Sequence, residues 1–147
     1  MTYFKVYAMP AYRNTIKVKT KGLCSIHDIT NDIAQIVTAS KLTQGICCVA
    51  VVGSTAAIST IEYEPGLLED IPRLMDKLIP SGISYQHDKT WHDGNGFSHL
   101  RSFLIKTSLS IPFDNRKLDL GTWQQIVLVD FDNRERTREL VVQLVGA

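Results

Sequence analysis

Long apolar runs are missing from this chain. The most extended one, Ile46 to Val52, falls far short of the ~20 residues that a membrane-spanning helix needs, so no membrane segment is expected. An excess of charge is missing too: 16 Lys and Arg stand against 15 Asp and Glu, a net charge of +1. Affinity for nucleic acid comes mainly from Lys and Arg on phosphates, and RNA-binding aromatic motifs are absent, so no nucleic-acid partner is expected. Cysteine is scarce. Cys24, Cys47 and Cys48 form no C-x-x-C, and free cysteines in an apolar run behave as small hydrophobes. That usage fits a reducing compartment. The stretch from Met1 to Met9 contains Lys5 and alternates instead of forming an apolar block, so no secretory leader is expected and the predicted location is cytoplasmic. Repeats, low-complexity stretches and linkers are lacking as well, which predicts one domain over residues 1–147. A chain of 147 residues buries about 68–70% of its unfolded surface, enough to fold without a disulfide or structural metal.

What is present reads as strands with a few helices. Tyr3 to Ala8 and Thr15 to Thr20 alternate as half-exposed strands. Ile29, Ile33, Ile36 and Val37 recur at helical spacing, with Asp28 or Thr30 to cap the start and Gly45 to end the helix. Ile46 to Val52 is β-branched and uninterrupted, which predicts a strand buried on both faces. Ala56 to Tyr63 predicts another strand. Leu67 to Ile79 carries a second amphipathic pattern, with Pro72 in its first turn and Pro80 after it. Ser98 is a candidate cap for a short helix from His99 to Ile105. Ser108 to Phe113, Thr122 to Phe131 and Glu139 to Val145 predict closing strands. The expected class is α+β: a largely antiparallel β-sandwich or barrel-like sheet with two main helices and one short helix.

The segment from His87 to Arg101 is the richest in chemistry. It holds three histidines, two aspartates, an asparagine and an arginine among few apolar residues, and a long irregular segment of this kind is more often functional than idle. His87 and His99 flank the turn Asp93-Gly94-Asn95-Gly96, and neutral imidazoles are common metal ligands. The spacing matches no standard zinc signature. Asp93 and Asn95 can orient a substrate or bind a metal's water, although Asp-Gly and Asn-Gly are also strong turn dipeptides. Arg101 falls near the start of the predicted helix, where an anion is favoured. Upstream, Ser54 and Thr55 follow a buried strand and a glycine, and their hydroxyls and N–H groups can hold phosphate. Glu62 or Asp70 can act as a general base or bind Mg²⁺. Trp91, Trp123 and Tyr85 are pocket or core candidates. Arg134, Arg136 and Arg138 share one side of an extended stretch, and the favoured reading is a solvated strand face.

Three stretches, G-S-T-A-A-I-S-T-I-E-Y-E-P-G, Y-x-H-D-x-x-W-x-D-G-N-G-x-S-H-L-R-S and L-G-T-W-Q-Q-I-V-L-V-D-F-D-x-R-x-R-x-R, occur in order over nearly the whole chain. Together they resemble the YjbQ-type family, also known as secondary thiamine-phosphate synthase, and its archaeal branch in particular. The resemblance implies a compact α+β fold, a homotrimer or dimer of trimers, and a pocket near a subunit interface with a bound metal or anion. It implies Glu62, Asp70, His87 and His99 as catalytic residues, Ser54, Thr55, Asp93, Asn95, Arg101 and Gln124 as substrate or phosphate contacts, and His87 and His99 as ligands of a divalent metal (Mg or Zn). Many relatives carry a histidine where this chain has Gly53, and many read N-G-H-S-H where it has Phe97. Each change would remove a metal ligand or proton carrier.

The activity that the resemblance implies joins a pyrimidine methyl diphosphate to a thiazole phosphate with loss of pyrophosphate, so the expected partner is a small phosphorylated metabolite. Trp91 can stack on the ring. Two further readings stand beside it: a different metal-dependent phosphate-ester hydrolase, and a non-catalytic oligomeric metabolite-binding protein.

Overall fold

A computed structural model describes residues 9–147; the strand expected at Tyr3 to Ala8 lies outside them. The described residues form β1 (Ala11–Thr20), β2 (Ser25–Asp28), α1 (Thr30–Ala39), β3 (Gly45–Val51), β4 (Ala56–Ile61), α2 (Pro65–Leu78), α3 (Gln86–Trp91), α4 (Gly96–Ile105), β5 (Ser108–Asp114), β6 (Lys117–Leu118), β7 (Gln125–Asp130) and β8 (Arg136–Gly146). Five strands make one sheet in the order β1-β8-β3-β5-β6, and three make a second in the order β2-β7-β4. The strand pairings are antiparallel. The expected α+β fold with a largely antiparallel sheet is therefore observed.

Alternation along each strand explains the layers. Cys47, Val49 and Val51 of β3, Ile111 and Phe113 of β5, and Leu140, Val142 and Leu144 of β8 point inward from the large sheet. They meet Ala56 and Ile58 of β4 and Ile126 and Leu128 of β7, with Ile33, Ile36 and Val37 of α1 in the same core. The other face of the small sheet carries Ala57, Val127, Val129 and Phe131 against Met75 and Ile71 of α2 and Ile105 of α4. Double burial thus belongs to β7. It was expected of Ile46 to Val52, but Ile46 is 54% and Val52 60% exposed, so the outward side of this run is partly open. Burial pushes the thiols of Cys24 and Cys47 up to about 11, so both stay protonated and inert.

Several boundaries differ from expectation. Helix α1 ends at Ala39, not at Gly45. Gly45 opens β3, where a Cβ would lie 2.2 Å from the Val145 carbonyl oxygen; the glycine allows a close strand crossing and is no helix stop. The Asp28 carboxylate accepts from the Thr30 N–H at 2.9 Å and so holds the first helical residue. Pro72 sits inside α2 and not in its first turn, because the helix starts at Pro65, with the Glu64 side chain accepting from the N–H groups of Gly66 and Leu67.

The largest difference lies between His87 and Arg101. This segment is mostly helical: α3 and α4 leave only residues 92–95 between them. Asp88 is the cause. Its carboxylate accepts from the Tyr85 N–H at 2.9 Å and the Gly96 N–H at 2.9 Å, capping both helices at once. Those two N–H groups hold the Asp88 carboxyl below its ordinary value, against burial. Ser98 is not a cap. It lies in the first turn of α4 and donates to the Phe131 carbonyl at 2.7 Å, while Ser102 donates to the Ala56 carbonyl at 2.7 Å. Both hydroxyls fasten α4 to strand ends of the small sheet.

Gly96 sits where no larger residue fits: a Cβ there would lie 2.6 Å from Tyr85 Cβ and 3.0 Å from Asp88 Oδ1. Gly96→Ala is therefore expected to push α3 from α4 and lower stability by about 1–3 kcal/mol. A urea denaturation midpoint equal to that of the parent protein would show that the junction has slack.

Candidate functional site

The end of β7, the start of β8 and the start of β4 converge on one polar corner. Alternation places Asp130 on the inward face of β7 with Ile126 and Leu128, and Arg138 on the inward face of β8 with Leu140, Val142 and Leu144. Both are buried, with Thr20, Thr55 and Asp132. Arg138 donates from Nε to Asp130 Oδ2 at 2.7 Å and from Nη2 to Asp130 Oδ1 at 2.6 Å and Thr55 Oγ1 at 2.7 Å. Thr55 in turn donates to Asp132 Oδ2 at 3.0 Å, and Arg136 donates to the same oxygen at 2.8 Å. Thr20 Oγ1 also donates to Asp130. Burial alone would raise the Asp132 carboxyl; the hydrogen bonds from Arg136 and Thr55 overcome it and hold Asp132 below the ordinary carboxylate range.

This corrects the reading of the three arginines as a solvated face. Arg134 is exposed, Arg136 is half-buried, and Arg138 is only 7% exposed. A lone arginine here would cost several kcal/mol of desolvation, and the bidentate Asp130 offsets it.

Next to this corner lie the two histidines. His87 comes from α3 and His99 from α4, with ring centroids 4.3 Å apart and planes tilted by 46°. Asp93 Oδ1 is 3.7 Å from His87 Nε2. The buried Asn95 amide lies between them; turned so that its nitrogen faces these acceptors, it donates to His87 Nε2 at 3.2 Å and to Asp93 Oδ1 at 3.1 Å and orients both. Asn133 donates to the Asp93 carbonyl at 2.8 Å and ties the turn to the β7–β8 connection. Burial lowers the His99 pKa and the His87 ring lowers it further, while Asp93 and Asp132 oppose the shift. His99 is thus a neutral base near pH 7 that accepts a proton readily once negative charge arrives.

The predicted site residues fall into four places. Ser54, Thr55, His87, Asp93, Asn95 and His99 gather at this corner. Ser54 and His99 share a surface hollow of about 290 Å³ with Gly53 and Lys106. Glu62 and Gln124 lie at the other end of β4, on the order of 20 Å along the strand from Thr55; Gln124 donates to Thr60 Oγ1 at 3.3 Å. Asp70 is exposed on α2, 3.7 Å from Arg73. Arg101 points from the opposite flank of α4, buried, giving hydrogen bonds to the Ile79 carbonyl at 2.7 Å and Asp76 Oδ1 at 3.0 Å and lying over the Phe97 ring. Its guanidinium closes the C-terminal end of α2. The anion at the start of α4 is the protein's own Asp88. Trp91 and Trp123 are 70% and 71% exposed, so neither is core.

The family model described as "UPF0047 protein YjbQ-like" matches residues 14–147. The chain belongs to this family. A UPF0047 protein of Archaeoglobus fulgidus is 38% identical over 128 residues, covering 87% of this chain and 97% of that one. A UPF0047 protein of Methanothermobacter thermautotrophicus is 33% identical over 138 residues, 94% of each. Among solved structures, a protein of unknown function from Sulfolobus solfataricus superposes with a TM-score of 0.89 at 34% identity, covering 95% of this chain and all of that one (100%). One from Aeropyrum pernix gives 0.85 at 30% identity, with 92% and 99% covered.

Within this YjbQ-like chain the two departures from the family pattern sit differently. Gly53 borders the hollow beside His99, whereas Phe97 is buried on the other flank of α4 with Arg101. Among the described residues no group of three or more His, Cys, Asp or Glu side chains is arranged to hold a metal ion. His87 and His99 supply two of the three protein ligands that a catalytic zinc site uses. None of the four helices among the described residues is long and apolar enough to cross a membrane.

Two outcomes follow for stability. Replacing Arg138 with Met leaves Asp130 buried without its partner and is expected to cost about 3–5 kcal/mol, read from chemical denaturation; a change under about 1 kcal/mol would mean that water replaces the guanidinium. The second concerns pH. The folded protein holds His99 and His27 with lowered pKa values, so the unfolded chain binds more protons as pH falls through the ordinary histidine range near 6.5. Stability therefore declines from about pH 7 to pH 5, and His99→Gln should flatten that slope. An unchanged slope in the variant would assign the effect elsewhere.

Proposed function

We propose that this protein is an enzyme acting on a small phosphorylated metabolite, and that its reaction is thiamine-phosphate synthesis. The observation that carries this reading is the His87–His99 pair, 4.3 Å between centroids, beside the hollow that Ser54 and His99 line. In the reaction, the thiazole nitrogen's lone pair forms the bond to the exocyclic methylene of the pyrimidine. The C–O bond to the diphosphate breaks, and its electron pair leaves on the pyrophosphate. No proton is needed for the balance. The protein's task is to place donors and positive charge where negative charge gathers on the leaving group.

The geometry supports that task. Asn95 and Asp93 orient His87. His99 is neutral in the free protein, and an arriving diphosphate raises its pKa, so it takes up a proton as the ligand binds. Ser54 offers a hydroxyl at the rim. No step is assigned to a divalent metal. Within one chain Glu62 and Gln124 lie at the other end of β4 from Thr55, and Asp70 is exposed on α2 beside Arg73, so a role for them is assigned to a neighbouring subunit. A homotrimer or dimer of trimers is part of this reading, supported by Phe103 of α4, exposed beside the hollow, and by the exposed Leu104 next to it in sequence.

Purified protein given both precursors should form thiamine phosphate with an equal amount of pyrophosphate. His87→Ala and His99→Ala should each lower kcat by about 10²–10³. Tight binding of both precursors with no product would replace this reading with a metabolite-binding role, and full turnover in the two variants would remove the histidines from it.

A further inference from the structure

Arg138 has one nitrogen left over. Its Nε and Nη2 are committed to Asp130 and Thr55, while Nη1 has no hydrogen-bond partner among the described residues. Yet no side-chain nitrogen or oxygen sealed from solvent lacks a partner there. Nη1 of this buried arginine must therefore reach the surface. Gly53 lies next to it: a Cβ on Gly53 would lie 3.4 Å from Arg138 Nη1 and, its chain neighbours aside, within 4 Å of no other atom. Gly53 thus stands beside Arg138 Nη1 and also lines the hollow with Ser54, His99 and Lys106.

We propose that Gly53 is a window through which Arg138 Nη1 binds a phosphoryl group. The chemistry selects this ligand class. Asp130 and Asp132 are already matched by Arg138 and Arg136, so an incoming anion meets donors and not a free carboxylate at the window. Donors on different elements border one place: Arg138 of β8 beside Gly53, and Ser54 after β3, His99 of α4 and Lys106 at its end around the hollow. A tetrahedral oxyanion with three free oxygens satisfies such a spread; a planar carboxylate does not. A hollow of about 290 Å³ is at the small end of ligand sites and suits a phosphoryl head more than a whole nucleotide. The guanidinium is also held rigid by its three hydrogen bonds, so little conformational entropy is lost when it binds.

This inference rests on the proposed function only in the substrate's being phosphorylated; the window itself stands on the Arg138 geometry. The test is a titration of inorganic phosphate and of pyrophosphate into the whole protein with ¹⁵N-labelled arginine, followed by the side-chain signals of Arg138. Saturable shifts of those signals, with Gly53→Ala at least tenfold weaker in affinity, are expected. Saturable binding that leaves the Arg138 signals still would overturn the proposal, as would a folded Gly53→Ala protein that binds as tightly as its parent. If Gly53→Ala does not fold, the parent titration alone decides. Shifts at Arg138 with no thiamine phosphate made would keep the window and discard the reaction; turnover with Arg138 unmoved would do the reverse.

Discussion

The pairing of Arg138 with Asp130 is the constraint on which the rest of this structure depends. It joins the end of the small sheet's central strand to the start of the large sheet's second strand. A charge pair in such a place stabilises little by itself, because desolvation takes back most of the Coulomb gain. What it does is fix position. Arg138 reaches Thr55 at the start of β4, Thr55 reaches Asp132, and Asp132 is held by Arg136. Three strand ends are thus tied at one corner, and α4 is fastened to two of them through Ser98 and Ser102.

The histidine pair inherits its geometry from that corner. His99 rides on α4, and His87 on α3, which Asp88 and Gly96 clamp to the start of α4. Neither helix is long, and α3 has no buried residue of its own. Its position comes from hydrogen bonds to a helix that is itself bonded to the sheet. The site is accordingly rigid where it touches β4 and β7, and lightly held at residues 92–95, where the Asp93 carbonyl depends on Asn133.

The strands were legible because alternation is a strong signal over six or more residues. The same signal was present for Arg138 and Asp130, which continue the inward parity of Leu140, Val142 and Leu144 and of Ile126 and Leu128. Charge argued for solvent, and parity argued for burial; parity prevailed because each charge found the other. The histidine segment was legible as chemistry but not as structure. The Asp88 carboxylate that caps α3 also reaches the Gly96 N–H eight residues on, a second bond that the hydrophobic period does not reveal. The short strands β2 and β6, four and two residues long, carry too few positions for a period to show. The separation of Glu62 from Ser54 and Thr55 follows from β4 itself: one straight strand puts its two ends far apart, however close they stand in sequence.

The placement of β8 also bears on the order in which this chain can fold. The strand nearest the end of the sequence lies between β1 and β3, with Ala11 opposite Val145 and Gly45 opposite Gly146. Until residues 136–146 have joined, β1 has no partner strand among the described residues, one edge of β3 stays open, and Asp130 lacks Arg138. The local hairpin β5–β6 cannot supply any of these. A pairing that spans almost the full described length closes late and slowly, and a truncated or stalled chain would expose open strand edges next to an unpaired carboxylate.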